Sequence, residues 1–181
     1  MKRNNGNEKA LVSRYPKRKV RKYSESQIDN TCGYSIDEVA RRLYLMGDCD
    51  GQNALNVIAG LGILNQQSED PIKFFLNSDG GSVNDGLALY DSIVNSRAPI
   101  DIEAYGNCSS MALVILQAAR ERLVAKHTEL MFHDGYYENK QIVAVQSMIS
   151  YGKWSKKQGE MIYTILSERS EKPNKYWRRN A

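Results

Sequence analysis

From residue 36 onward the apolar positions follow two alternating rhythms. Leu43-Tyr-Leu-Met46 is a short apolar run closed by Gly47-Asp48. Ala54, Leu55, Val57, Ile58, Leu61 and Leu64 then recur at helical spacing. After the Ser68-Glu-Asp-Pro71 stop, Ile72-Lys-Phe-Phe-Leu76 reads as a strand, and Ser78-Asp-Gly-Gly81 as a sharp turn. Val83, Leu87, Tyr90 and Val94 form a second helical stripe that ends before Pro99. Ile100-Asp-Ile-Glu-Ala104 alternates as a strand does and runs into Tyr105-Gly106. A third helix is expected from Met111 to Ala119, and short strands at Leu123-Val-Ala125 and Glu129-Leu-Met-Phe132. Residues from about 139 to 168 read as one long helix, interrupted at Gly152 and Gly159.

Strands alternating with helices of this length predict an α/β fold of repeated βαβ units around a mainly parallel sheet. In such folds ligands and chemistry gather at the carboxyl ends of the strands. Three places here meet that rule: the turn at 77–82, the turn at 105–111 and the residues just after Phe132.

Composition narrows the class. With 181 residues, 41% hydrophobic and 25% charged, the chain has the size and make-up of one globular domain, which excludes disordered and collagen-like chains. No run of 18 apolar residues is present, so no membrane span is expected. No apolar stretch follows the basic start, so no secretory signal is expected either. The cysteines, Cys32, Cys49 and Cys108, are odd in number and form no CxxC pair. That pattern argues against a disulfide scaffold or zinc site and fits the cytoplasm.

The net charge of +4 is unevenly spread. Residues 1–22 carry nine Lys or Arg against the single acid Glu8, which leaves the remainder negative. Residues 1–30 therefore read as a basic, mobile arm ahead of a domain at 31–181. The arm is either a solvated tail or a contact for nucleic acid or an acidic partner surface. Its two aromatics, Tyr15 and Tyr23, are few for a base-stacking platform.

Each strand end carries something reactive. Gly80-Gly81 lets the backbone turn tightly and approach a ligand, and helix-start N–H groups favour negative charge. At Gly106-Asn-Cys-Ser-Ser-Met-Ala112 a strand enters and a helix leaves, as at a nucleophile elbow, though the pattern is not GxSxG. Three nucleophiles compete there, Cys108, Ser109 and Ser110, and helix capping by the serines is the competing structural role. His133 closes an apolar strand, whereas His127 lies in the Ala125-Lys-His-Thr128 turn and reads as a surface residue. Neither has partners at metal-ligand spacing, so no metal site is expected. A serine corner and a strand-end histidine suggest acyl transfer: histidine takes the serine proton, serine attacks a carbonyl, and backbone donors hold the oxyanion.

Several blocks in unbroken order carry a resemblance. They are Arg42-Leu-Tyr-Leu-Met-Gly-Asp48, Ser68-Glu-Asp-Pro71, Phe75-Leu-Asn-Ser-Asp-Gly-Gly-Ser-Val83, Gly86-Leu-Ala-Leu-Tyr-Asp91, Tyr105-Gly-Asn-Cys-Ser-Ser-Met-Ala112 and Leu130-Met-Phe-His133. With 29 residues from Gly81 to Ser110 and 23 from Ser110 to His133, the chain resembles the ClpP-like serine peptidases, the proteolytic subunits of Clp protease, over about 36–170. The resemblance implies the ClpP/crotonase-like fold of repeated ββα units, with a long handle helix after the histidine. It implies Ser110 as nucleophile, His133 as base, backbone N–H groups of Gly81 and Met111 as oxyanion hole, and residues Gly81, Ser82 and Val83 as the strand that pairs with extended substrate. It further implies a homo-oligomeric ring, usually heptameric and stacked in pairs through the long helix. Met148, Ile149, Ile162 and Ile165 are the candidate stacking residues, or else pack on their own core. Polypeptide substrates would be fed by an AAA+ unfoldase that uses ATP, with no cofactor in this chain.

The sequence departs from the family at Asp79, where the family has Pro, and at Asp134-Gly135, where it has Gln-Pro. Its aspartate follows the long helix and would fall just past Ala181, so the resemblance implies an incomplete C-terminal end and leaves the third triad acid unassigned. Asn174, Asn180, Glu168 and Glu171 are badly placed as substitutes, and Asp134 is too near His133 in sequence. Two other classes compete: a catalytically silent ring or scaffold subunit, and a crotonase-superfamily acyl-CoA enzyme. A phage-type capsid maturation protease is a further form of the peptidase reading.

Overall fold

Two short apolar segments at the centre of the chain, Ile72–Ser78 and Ile100–Ser109, pair in parallel and organise everything else. The structure is a computed structural model that describes residues 22–135 and 144–181. In chain order the elements are α1 (Glu25–Tyr34), β1 (Ile36–Asp37), β2 (Arg42–Met46), α2 (Gly51–Gln67), β3 (Ile72–Ser78), α3 (Val83–Val94), β4 (Ile100–Ser109), α4 (Met111–Leu116), β5 (Glu121–Val124), β6 (Glu129–Met131), α5 (Val145–Glu168) and α6 (Asn174–Arg179). The basic residues of the expected arm up to Arg21 lie outside the described residues, as does 136–143, where the long helix was expected to begin.

The sheet runs β1-β2-β3-β4-β5, with β6 pairing the far end of β4. All pairs are parallel except β1 with β2. Each parallel neighbour among β2, β3, β4 and β5 is reached through an intervening helix, as the alternating pattern requires. β3 shows why it sits at the centre: Ile72, Phe74, Leu76 and Ser78 are buried on one face while the residues between them are not. Those residues meet Val57, Leu61 and Leu64 of α2, Leu89 and Ile93 of α3, and α4, whose six residues are all buried.

On the opposite face Tyr44, Phe75 and Tyr105 stack across three strands, with ring centroids 5.3 and 6.0 Å apart. The Arg42 guanidinium lies 5.7 Å from the Phe75 ring. Glu103 pairs with Lys73 at 2.5 Å. The lysine ammonium, opposed by burial and helped by the Tyr105 hydroxyl, holds the Glu103 carboxyl below its ordinary range.

The structure corrects the sequence reading in four places. The strand expected at 100–104 does not end at Tyr105-Gly106; it continues to Ser109, with a register shift opposite Leu76 and Ser78. Gly152 and Gly159 do not interrupt α5, which is continuous from Val145 to Glu168. Residues 25–34, partly inside the expected arm, form a helix that buries no residue and is held by a Ser24–Gln27 capping box. The four candidate stacking residues divide: Ile162 and Ile165 pack on their own core, whereas Met148 and Ile149 are exposed.

Candidate active site

The carboxyl ends of β3, β4 and β6 converge, and the three reactive places of the sequence come together there. β3 ends at Ser78, whose hydroxyl accepts a hydrogen bond from the Gly80 N–H at 3.0 Å. Cys49 then forms a single parallel bridge with Gly81. The Cys49 N–H donates to Gly80 O at 2.7 Å, and the Ser82 N–H donates to Cys49 O at 2.8 Å. In a parallel bridge of this kind the central residue's own N–H and C=O project from the other edge. Gly81 therefore presents its amide away from Cys49, on a segment that lines a cleft.

β4 delivers three adjacent nucleophilic side chains, and their surroundings separate them. Cys108 is fully buried, and burial pushes its thiol up to about 12. Ser109 is 2% exposed, and its hydroxyl donates to the Asn107 side chain. Asn107 in turn donates to Asp79, so this chain of bonds braces the two turns against each other. Asp79 thus has a structural role in holding the two turns together.

Ser110 is different in conformation as well as exposure. It precedes α4 at φ 53 and ψ −122, outside the usual regions for a residue with a Cβ, and its side chain makes no capping bond. Strain of this kind costs on the order of 1–3 kcal/mol and persists where surrounding packing enforces it. Here the enforcement is visible. The Ser110 N–H donates to Met131 O at 2.8 Å, fixing the corner to β6, and Gly80 packs directly against the 109–111 turn. A Cβ on Gly80 would lie 2.7 Å from Ser110 Cβ and 2.8 Å from Met111 N. Met111, the first residue of α4, carries one of the amides that a helix start leaves without an intrahelical partner.

His133 lies two residues beyond β6 and is half-buried. It joins Gly80, Gly81, Ser82, Val83 and Ser110 around one open cleft of about 490 Å³. Met111 lines a smaller cavity that also touches Ser110 and His133. His133 Nδ1 is 2.6 Å from the backbone carbonyl oxygen of Asp134. The Asp134 carboxylate points elsewhere and accepts the Tyr163 hydroxyl of α5; burial, then this bond, raises that phenol to about 12. Sequence reasoning missed Tyr163 altogether, since 29 residues separate it from Asp134. Among the described residues no group of three or more His, Cys, Asp or Glu is placed to hold a metal. No helix there is long and apolar enough to cross a membrane.

The thiols offer a simple check. Cys32 is exposed, whereas Cys49 and Cys108 are buried, with burial raising Cys49 to about 11. Because the thiolate is the reactive form, the folded protein should take one carbamidomethyl group with iodoacetamide and the denatured chain three, as read by intact mass. Rapid labelling of Cys108 in the folded state would contradict the exclusion of that nucleophile.

A strained serine between a parallel strand and a buried helix, lining one cleft with a strand-end histidine and a glycine turn, defines an α/β protein of the elbow type. The Clp protease family model matches residues 29–180, and the chain belongs to that family. Its structure is similar to that of a ClpP1 variant from Listeria monocytogenes, with a TM-score of 0.71 at 22% identity, covering 78% of this chain and 79% of that one.

Proposed function

We propose that this chain is a serine endopeptidase subunit that cleaves unfolded or extended polypeptides through an acyl-enzyme at Ser110. The observation that carries the reading is the strained Ser110, which makes no side-chain capping bond and lines one cleft with His133 and Gly81.

In this mechanism His133 takes the Ser110 proton as Oγ attacks the scissile carbonyl carbon. The amides of Gly81 and Met111 hold the oxyanion, and collapse breaks the C–N bond as His133 returns the proton to the leaving amine. Water then repeats the sequence on the ester. The Asp134 carbonyl beside Nδ1 favours the tautomer with its proton there, which leaves Nε2 to act as base. Substrate backbone would pair along Gly81, Ser82 and Val83, which gives broad sequence preference.

Assembly into a ring, heptameric by analogy with the family, is supported by exposed Leu123, Val124, Leu130 and Met131 on β5 and β6, and by Met148 and Ile149 on α5. Delivery by an AAA+ unfoldase that spends ATP, and a cytoplasmic setting, follow from the same reading. A silent ring subunit, which keeps the fold without turnover, is the second reading.

The test is cleavage of a fluorescein-labelled unfolded polypeptide by the assembled protein. Hydrolysis that disappears in Ser110→Ala supports the peptidase. Equal rates in both proteins contradict it, and binding without cleavage by the wild type supports the silent subunit. Saturable binding of acyl-CoA with no peptide cleavage would point to the crotonase-type alternative.

A further inference from the structure

Gly159 lies inside α5, where glycine costs roughly 0.5–1 kcal/mol relative to alanine. Two other helical glycines are explained by packing: a Cβ on Gly60 would come within 2.8 Å of Leu43, and one on Gly86 within 2.5 Å of Met111. Gly159 has no such reason. Its φ is not in the left-handed region, and a Cβ there would meet only the Tyr163 ring at 3.8 Å or more, an ordinary contact. What its missing side chain leaves is space.

That space adjoins the reactive serine. The cavity touching Ser110 and Met111 is only about 30 Å³, the volume of one water molecule or a methyl group. A second cavity of about 260 Å³ lies against it. Val83, Asp134, Gly135, Gly159, Ile162 and Tyr163 line both. The near part is walled by Met111, Phe132 and Ile162. The far part is lined by the Arg178–Glu160 pair at 2.5 Å, by Tyr163, whose hydroxyl donates to Asp134, and by the ammonium-bearing Lys156.

We infer that Gly159 is a specificity-determining position. It opens the small apolar pocket beside Ser110 into the larger, part-polar one, so that the substrate residue supplying the attacked carbonyl carries a long, unbranched side chain such as that of norleucine, methionine or glutamine. This rests on the proposed acyl transfer at Ser110 for its meaning, though its test does not require turnover.

The test uses assembled full-length protein and tripeptide acids that end in norleucine, glutamine or alanine, with binding followed by calorimetry. Norleucine and glutamine should bind at least tenfold more tightly than alanine, because even one extra buried methylene in a fitted pocket is worth about that factor or more. Gly159→Leu should erase the difference while leaving alanine binding within about twofold. Gly159→Ala, whose Cβ fits and which removes a helix cost, should fold at least as well as the wild type and show an intermediate loss. No preference in the wild type, or a preference that survives in both variants, overturns the inference. Fluorophosphonate labelling of the same samples reports separately on Ser110. A norleucine preference lost in Gly159→Leu without labelling would keep the pocket and remove the hydrolase.

Discussion

Gly80→Ala should abolish activity while leaving most of the fold in place. The position has φ +96, which an alanine adopts at a cost of about 1–2 kcal/mol. Its Cβ would also meet Ser110 Cβ at 2.7 Å, Met111 N at 2.8 Å and Ser109 O at 2.8 Å. Two of these are backbone atoms at the foot of a fully buried helix, so no side-chain rotation relieves the contact. Relief requires the 80–81 and 109–111 turns to separate, which moves the Gly81 amide away from Ser110. Overpacking of this kind costs about 1–3 kcal/mol of stability, and loss of one oxyanion donor costs about 100- to 1,000-fold in rate. The expected result is a lowered melting temperature with an unchanged far-ultraviolet circular dichroism spectrum, and peptide hydrolysis reduced at least 100-fold. A variant with near wild-type turnover would show that the two turns need not touch for function.

His133→Ala should cost about 10⁴-fold or more in kcat, with KM changed little. The imidazole sits at the cleft beside Ser110 but is not on the Gly81–Val83 edge where substrate backbone would pair. Truncation should therefore remove proton transfer and spare binding. Steady-state kinetics on a fluorogenic peptide separate the two: a large rise in KM with kcat nearly intact would make His133 a binding residue and not the base.

Much of this arrangement was legible in the residues themselves. The alternating pattern of Ile72–Leu76 and the helical stripes at 54–64 and 83–94 identify the parallel core, because burial on one face leaves a period that sequence displays. The three strand-end segments are legible for the same reason: parallel topology fixes where strands stop. The choice among Cys108, Ser109 and Ser110 was not legible from residue chemistry alone. It depends on β4 running past Gly106, a continuation set by a register shift and by Asn77, whose side chain accepts the Asn107 N–H at 3.0 Å. The helix at Glu25–Tyr34 escaped notice because it buries no residue and so leaves no apolar stripe, although its capping box is written in Ser24 and Gln27. The pairing of Tyr163 with Asp134 and the cavity beside Gly159 arise from the docking of α5 onto the site, a tertiary event with no local signature.

The central claim is that Ser110 is an activated nucleophile. The most direct measurement is residue-level mass spectrometry of the assembled protein after exposure to a fluorophosphonate. A single adduct on Ser110, absent from Ser110→Ala and slowed by His133→Ala, is the result this account predicts. An adduct on another residue, or an unmodified Ser110 in protein that cleaves polypeptides, would contradict it.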